Sequence, residues 1–259
     1  KEAILAQKEH EFSYKQQQIA EMQQYVNKFR ASASRSKQAL SRQKMIDRIE
    51  LLEMQASSRR SPAFYFQQVR QSGKQVLEAK ALSKAFAGKP LFSGVNFDLY
   101  RGQKCAIVGV NGIGKSTMIK MLLDDLPADH GEYKWGDTTS IGYFPQNFHD
   151  LLNPQQTLMT WICEAANIDD VVARKALGCM LFSGDDVNKK IAVLSGGECA
   201  RLLFAKLIAK QHNVLILDEP TNHLDLESIE GLVSSLVQFP GTVLFVSHNR
   251  YFVQALASS

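Results

Sequence analysis

Apolar residues in the N-terminal part of the chain recur at every seventh position, a spacing that predicts a coiled-coil seam. Residues 1–55 contain neither glycine nor proline and are rich in residues that favour helices. Small residues at 31–34 interrupt the pattern, and a second apolar stripe resumes over 45–52. We therefore predict two antiparallel helices joined by a turn near 31–38. The positions of the first seam are Leu5, Phe12, Ile19 and Val26.

The rest of the chain contains apolar runs that do not alternate with polar residues, at 105–108, 214–217 and 243–246. Strands that are buried on both faces show this pattern, as in a parallel sheet covered by helices. The first run is followed by a glycine-rich loop and by a predicted helix over 116–123. These features predict an α/β fold with a parallel-sheet core.

Shorter segments complete the predicted organisation. A Ser-, Arg- and Pro-containing stretch at 57–62 is a breaker between the helical and the α/β parts. Residues 64–66 and 76–80 are predicted as short strands because they are aromatic or apolar over strand length. Residues 150–195 lack runs of β-forming residues and are predicted as a helical insert.

The net charge of +4 is unevenly distributed along the chain. Residues 1–60 hold 12 Lys and Arg against 7 Asp and Glu, whereas residues 61–259 hold 18 against 19. Such a basic segment is either a solvated helical face or a surface that contacts nucleic-acid phosphates. The basic residues at and after the predicted turn are Lys28, Arg30, Arg35, Lys37, Arg42, Lys44 and Arg48.

The sequence favours a cytoplasmic protein without a membrane partner. No apolar run approaches the roughly 18–20 residues of a membrane-spanning helix, and the first residues are too charged for a secretory signal. Because the chain begins with Lys1 rather than Met, we expect a fragment. The cysteines form no CxxC pair and are predicted to be reduced thiols. They are Cys105, Cys163, Cys179 and Cys199.

The segment 109–117 matches the phosphate-binding pattern G-x-x-x-x-G-K-[ST]. Its glycines allow the backbone to turn N–H groups toward phosphate oxygens. Lys115 would neutralise the β- and γ-phosphates, and the Ser116 hydroxyl would coordinate Mg²⁺. The match follows an apolar run and precedes a predicted helix, so ATP and Mg²⁺ are the expected cofactors. The candidate nucleotide contacts are Gly109, Asn111, Gly112, Gly114, Lys115, Ser116 and Thr117.

Two acidic residues end the second apolar run. Asp218 is placed to bind Mg²⁺, directly or through water, and Glu219 to orient or deprotonate an attacking water. An acidic turn after a strand is common by itself. Next to a phosphate-binding loop, the catalytic interpretation is the stronger one.

The pentapeptide Leu-Ser-Gly-Gly-Glu at 194–198 precedes a predicted amphipathic helix over 198–210. Ser195 and the glycine N–H groups would lie at the helix N-terminus, where anions bind. The same residues also fit an ordinary capping box. The position of the pentapeptide, 24 residues before Asp218, makes the functional interpretation more specific.

With these motifs in place, residues 75–259 resemble the ATP-binding-cassette (ABC) ATPases. The resemblance implies a parallel-sheet core, an antiparallel β-subdomain and a helical subdomain. It also implies that Phe86 stacks on adenine, that Gln146 senses Mg²⁺ and water, and that His248 contacts the γ-phosphate. Alone, each of these three could equally be a core or loop residue. On this basis the predicted catalytic residues are Glu219, His248 and Gln146, and the predicted metal ligands are Ser116, Gln146 and Asp218.

The family resemblance further implies a composite site. Two such domains face each other head to tail, so Ser195 and Gly197 would contact ATP held by the other domain. Asp225, in Asn-His-Leu-Asp, matches the loop that couples the two sites.

The form Asp-Glu-Pro-Thr-Asn-His-Leu-Asp is typical of the ABC-F family, whereas transporter ATPases more often carry Ser-Ala-Leu-Asp. This resemblance implies an interdomain helical-hairpin linker over 1–60 and a second ATPase domain over 61–259 that is C-terminally truncated. The expected partners are a first ABC domain on the same full-length chain and the ribosome, whose rRNA and tRNA would meet residues 25–48. Two alternatives remain: an ATPase subunit of an ABC transporter, or a non-ribosomal cassette protein whose seam is a dimerisation coiled coil.

Overall fold

The computed structural model describes residues 61–86 and 88–257. The predicted helical hairpin and its basic turn fall within residues 1–60 and therefore lie outside the described residues. Within the described ranges, no helix is both long enough and apolar enough to cross a membrane.

Seven strands and six helices are found in the described part of the chain. The strands are β1 (Gln75–Phe86), β2 (Lys89–Tyr100), β3 (Lys104–Ala106), β4 (His130–Trp135), β5 (Ile141–Phe144), β6 (Val214–Asp218) and β7 (Thr242–Val246). The helices are α1 (Lys115–Leu122), α2 (Leu158–Ala166), α3 (Asp170–Cys179), α4 (Gly196–Lys210), α5 (Leu226–Gln238) and α6 (Arg250–Ala257). Short 3₁₀ helices cover His149–Leu151, Gly184–Asn188 and Ile191–Val193.

Four strands form a parallel sheet in the order β3-β7-β6-β5, which confirms the predicted parallel core. Strands β6 and β7 are buried at every position. Alternate residues of β6 enter two different cores: Leu215 and Leu217 pack with the helices on one face, whereas Val214 and Ile216 pack toward the other sheet. A strand covered on both faces has no solvent side for polar residues, which explains the absence of alternation in the sequence.

The second sheet is antiparallel, in the order β2-β1-β4. Leu77 of β1 lies opposite Leu99 of β2 and Trp135 of β4. Strand β1 contains the predicted strand at 76–80 and continues to the edge of the cleft described below. Ile119 of α1 belongs to the same buried core as Leu77, so α1 packs between the two sheets. This sheet is the antiparallel β-subdomain that the resemblance implied.

The helices of the other face form a second, larger core. Helices α2 and α3 and the 3₁₀ helices occupy most of residues 150–195, so the predicted helical insert is confirmed. Trp161 of α2, Leu177 of α3 and Phe204 of α4 share one buried cluster. Phe252 of α6 joins the same cluster, against Phe245 of the parallel sheet at a ring distance of 5.4 Å.

The predicted strand at 64–66 is wrong. Phe64–Phe66 has no regular secondary structure and belongs to no sheet formed by the described residues. Phe64 and Phe66 are buried, and both rings meet the ring of Phe204 edge-on, at 5.1 and 6.4 Å. The two aromatic side chains are thus buried by contacts with α4 and not by pairing in a sheet.

Candidate functional site

The glycine-rich loop connects β3 to α1 and turns at Gly114. Strand β3 ends at Ala106, so the predicted strand is too long, and Val108 is 73% exposed. Gly114 caps α1 with φ 103°, and a Cβ there would lie 2.5 Å from Cδ2 of Leu91. Only glycine fits this conformation and this approach. Among the described residues, no side chain caps α1 or takes up the N–H groups of its first turn.

Lys115 is the first residue of α1 and turns back over the loop. Its Nζ donates to the carbonyl oxygens of Gly109 at 2.9 Å and of Val110 at 3.1 Å. Gly109 therefore contributes its carbonyl to the loop but does not itself line the cleft. The ammonium lies beside the first N–H groups of α1, and the two together make this end of the loop electropositive.

Asp218 ends β6 beside Val246 of β7 and is 1% exposed. Burial raises the pKa of its carboxyl group, and a hydrogen bond from Ser116 and the charges of Lys115 and Lys120 oppose the rise. Among the described residues, Oδ1 of Asp218 has no hydrogen-bond partner. A buried carboxylate oxygen without a partner, close to a hydroxyl, is suited to a hard divalent cation.

Glu219 has φ 51°, in the left-handed region that a non-glycine residue rarely adopts. Its N–H donates to the carbonyl of Val246 at 2.9 Å, and its Oε2 accepts from the N–H of His248 at 3.2 Å. Nε2 of His248 lies 3.3 Å from Oε1 without the geometry of a hydrogen bond. Burial raises the pKa of Glu219, opposed first by the His248 N–H. The strained backbone thus holds a buried carboxylate of increased proton affinity beside His248.

These elements surround one cleft of about 440 Å³. Phe86 lies at the end of β1 with half of its surface exposed, and Gln146 is exposed just after β5. Leu91 and Val246 also line the cleft. Neither residue could be predicted as part of the site from the sequence, because a leucine on an edge strand and a valine in a buried run carry no chemical signature. The candidate residues in the cleft are Phe86, Asn111, Gly112, Gly114, Lys115, Ser116, Thr117, Gln146, Asp218, Glu219 and His248.

The pentapeptide at 194–198 forms a different structure at the start of α4. Oγ of Ser195 accepts from the N–H of Glu198 at 3.3 Å and donates to Oε2 of Glu198 at 2.7 Å. The N–H of Ser195 donates to the same carboxylate oxygen at 2.8 Å, which completes a capping box. Neither Ser195 nor Gly197 lines the cleft. The structure therefore separates these two candidates from the others.

The loop after Glu219 connects the cleft to the start of α4. The ring of His223 meets the ring of Phe148 at 5.1 Å, and Phe148 belongs to the segment that follows β5. A Cβ on Gly197 would lie 3.0 Å from the carbonyl oxygen of His223. Asp225 caps α5 by accepting an N–H from its first turn at 2.8 Å. The sequence had marked Asp225 in this loop, whereas His223 is the residue that touches both neighbouring segments.

Two known protein families match parts of this chain. A family described as "ABC transporter" matches residues 92–222, and a further family with the same description matches residues 1–66. Residues 92–222 contain the glycine-rich loop, the acidic pair and the pentapeptide, whereas His248 lies beyond the matched range.

Curated relatives from bacteria and a plant are similar over nearly the whole chain. The chain is 45% identical to the "Probable ATP-binding protein YbiT" of Escherichia coli O157:H7, over 94% of this chain and 46% of that protein. It is 42% identical to the "Putative ATP-binding protein YdiF" of Bacillus subtilis, over 95% and 39%. It is 35% identical to "ABC transporter F family member 5" of Arabidopsis thaliana, over 88% and 33%. The chain thus spans less than half the length of these relatives.

Two solved structures share the fold. A chain of an inward-facing ABC transporter of a putative metal-chelate type is 28% identical, with a TM-score of 0.59 over 71% of this chain and 77% of that one. The ATP-binding cassette MJ0796, a dimer bound to ADP and Pi, is 20% identical, with a TM-score of 0.60 over 69% and 90%. The second likeness shows the fold alone.

Proposed function

We propose, since the chain belongs to the ABC-F type of ATP-binding-cassette proteins, that it hydrolyses ATP at a site completed by a second domain of the same kind. It comprises the linker region and the second ATP-binding domain of that type. The observation that carries the proposal is the convergence of the glycine-rich loop, Asp218, Glu219 and His248 on one cleft.

The nucleotide would bind with its phosphates in the glycine-rich loop and its base at Phe86. The N–H groups of the loop and of the first turn of α1 would donate to phosphate oxygens, since no side chain caps this helix. Lys115 would add a positive charge and exchange its loop carbonyls for phosphate oxygens. Phe86, half exposed at the edge of the cleft, would cover one face of the base.

The residues present fit a magnesium ion. Ser116, Asp218 and Gln146 would hold it, and the unpaired Oδ1 of Asp218 is the observation that supports this assignment. When bound, Mg²⁺ would supply the positive charge that balances the β- and γ-phosphates.

Glu219 would orient the attacking water and accept its proton. The buried carboxylate has a raised pKa, which makes it a stronger base than an exposed glutamate. His248 would contact the γ-phosphate through its imidazole, which lies beside Glu219 and is about half exposed toward the cleft. Its backbone N–H, meanwhile, would keep the Glu219 carboxylate in place.

The site would be composite because Ser195 and Gly197 lie away from the cleft of their own domain. They would bind the ATP of a partner domain, on the same full-length polypeptide in our proposal. That arrangement agrees with relatives more than twice as long as this chain. We expect the isolated chain to hydrolyse ATP slowly, with a rate per molecule that rises with protein concentration. Brisk turnover that is independent of concentration would contradict a composite site.

ATP-driven closure of the two domains would act on the ribosome. The basic excess within residues 1–60 supports this part of the proposal, because Lys and Arg contacts to phosphates provide affinity for RNA. The proposed domains are a helical-hairpin linker at 1–60 and an ATP-binding domain at 61–259. Residues 25–48 would face rRNA and tRNA.

The test is Glu219→Gln in the full-length protein, together with the corresponding change in the other ATP-binding domain. Loss of the general base should lower hydrolysis by about 10²- to 10⁴-fold while ATP still binds and holds the domains closed. We therefore expect the variant to sediment with ribosomes in ATP more than wild type does. Glu230→Gln, an exposed change on α5, is the matched control. Ribosome binding no greater than that of wild type would count against the ribosomal role.

An ABC transporter subunit is the second candidate, because both matching families carry that description and one structural relative is a transporter chain. A transporter subunit requires a membrane-embedded partner. Affinity purification of the full-length protein from solubilised membranes distinguishes the two: a stoichiometric integral membrane protein would favour the transporter, and ribosomal subunits would favour our proposal.

A further inference from the structure

A buried lysine lies directly beneath the ring of Phe86. Lys84 is 8% exposed, and its Nζ lies 5.7 Å from the centroid of the Phe86 ring, within the range of a cation–π contact. The other lysine of this strand, Lys80, is exposed and pairs with Glu78 instead. Lys84 is thus the lysine of β1 that the fold turns inward, toward the edge of the cleft.

The ammonium of Lys84 is fixed by two acceptors. It donates to Oδ1 of Asp129 at 2.6 Å and to the carbonyl of Pro127 at 2.8 Å. Oδ2 of Asp129 accepts the backbone N–H of Ala85 at 2.7 Å. The Lys84 hydrogen bond, followed by that of Ala85, lowers the pKa of Asp129, so this carboxyl group is ionised at neutral pH.

The same carboxylate therefore holds both the cation below the ring and the backbone next to Phe86. Asp129 also donates its own N–H to the carbonyl of Ser83 at 3.1 Å, which ties the loop before β4 to the end of β1. An exposed side chain at the end of a strand would otherwise sample several rotamers. Here the ring has a fixed partner on one side, while half of its surface remains exposed.

We propose that Lys84 and Asp129 are positioning residues for the nucleobase: they hold Phe86 as the middle layer of a stack of ammonium, phenyl ring and purine. This inference rests on the proposed binding of the ATP base at Phe86. The ammonium draws π electrons toward its own side of the ring, which reduces their repulsion of a base stacked on the opposite side. Lys84 thereby acts on the base without touching it.

The experiment separates base binding from phosphate binding in the 259-residue chain. Affinities for Mg-ATP and for Mg-tripolyphosphate, which has no base, are measured by calorimetry for each variant. We expect Lys84→Met, which keeps the apolar stem, to weaken ATP binding about fivefold and to leave tripolyphosphate binding within about twofold of wild type. Lys84→Arg, which keeps the cation and the ion pair, should restore ATP binding. Lys80→Met, on the exposed side of the same strand, should change neither affinity.

A double-mutant cycle with Phe86→Ala tests whether Lys84 acts through the ring. Phe86→Ala alone should weaken ATP but not tripolyphosphate, and adding Lys84→Met should cause no further loss. If Phe86→Ala leaves ATP binding unchanged, the proposed base site is wrong. If it weakens ATP binding but Lys84→Met does not, only the role of Lys84 is overturned.

Equal loss of both ligands in Lys84→Met would also overturn the inference, because it would show that Lys84 only maintains the fold. Should Lys84→Met fail to fold, Asp129→Asn carries the test, since it keeps the cation but weakens its anchor. The same selective loss of ATP affinity is expected for Asp129→Asn, and an equal loss of both ligands contradicts the stack.

Discussion

Two helices of this domain begin with glycine-containing loops that were both predicted to meet phosphate, yet their N-termini are built differently. Helix α1 begins after Gly114, which has a left-handed backbone and no side chain that could cap the helix. Helix α4 begins after Ser195, which forms a reciprocal box with Glu198. Apart from α1, every α-helix in the described ranges has a side-chain cap, from Thr157, Asp169, Ser195, Asp225 and Asn249.

The two N-termini are suited to different ligand positions. Within the described ranges, no side chain accepts from the first-turn N–H groups of α1, so these groups depend on an acceptor that comes from outside. At the start of α4, the capping box provides acceptors for two N–H groups, those of Ser195 and Glu198, within the domain itself. An uncapped helix is suited to a nucleotide that its own domain holds. A capped helix is suited to docking against a nucleotide that another domain delivers.

Of the substitutions that test this comparison, Gly114→Ala should cause the greatest loss of stability and of ATP binding. The Cβ of an alanine at this position would lie 2.5 Å from Cδ2 of Leu91, and the alanine would have to adopt a φ of 103°. The loop must therefore move. We expect a loss of about 2–3 kcal/mol of stability and no measurable ATP binding by calorimetry.

Gly196→Ala is the matched control at the start of α4. Its Cβ would meet Nδ1 of His223 at 3.5 Å, an ordinary van der Waals distance, and Gly196 has no left-handed φ. Stability and ATP binding by the same domain should stay close to wild type. Similar losses in the two variants would show that the N-termini do not differ as we describe.

The next effect in size compares the two serines. Ser116→Ala removes a hydroxyl that faces Asp218 in the cleft and should lower Mg-ATP affinity about tenfold or more. Ser195→Ala removes the cap of α4 and should lower the free energy of unfolding by about 1 kcal/mol, with Mg-ATP affinity unchanged. Calorimetry and urea unfolding on both variants measure the two quantities. Weaker ATP binding by Ser195→Ala in the isolated domain would place Ser195 in its own cleft.

Most of this contrast was accessible from the sequence, because its signals are local. The G-x-x-x-x-G-K-[ST] spacing determines the loop and the start of α1, and the Ser-x-x-Glu spacing of 195–198 equally predicts a capping box. The unalternating runs around 214–217 and 243–246 predicted the parallel sheet, since burial on both faces leaves its mark in each strand.

What the sequence did not reveal depends on residues far apart in the chain. In the sequence, Lys84 and Asp129 cannot be distinguished from ordinary surface charges. In the fold, Nζ of Lys84 lies 2.6 Å from Oδ1 of Asp129. His223 lay inside a recognised motif, but its contacts with Phe148 and Gly197 depend on tertiary packing. The aromatic segment at 64–66 was misassigned for the same reason, because Phe64 and Phe66 are buried by contacts with Phe204, which lies far away in the sequence.

Removing the charge of the capping box should change the free energy of unfolding least. In Glu198→Gln the amide oxygen can still accept the N–H of Ser195, so only the interaction of the charge with the helix N-terminus is lost, about 0.5 kcal/mol at neutral pH. The folded state lowers the pKa of Glu198, chiefly through the Ser195 N–H. A carboxyl group with a lowered folded pKa adds stability above its unfolded pKa and loses it as the pH falls through the folded value.

The difference in unfolding free energy between wild type and Glu198→Gln should therefore be constant around neutral pH and shrink below about pH 4.5, where glutamate in the unfolded chain becomes protonated. Urea unfolding across this range measures it, with the exposed Glu230→Gln on α5 as the control. A difference that does not change with pH would mean that the carboxylate charge does not stabilise the start of α4. The stabilisation of the start of α4 would then come from Ser195 alone and not from the Ser195–Glu198 pair.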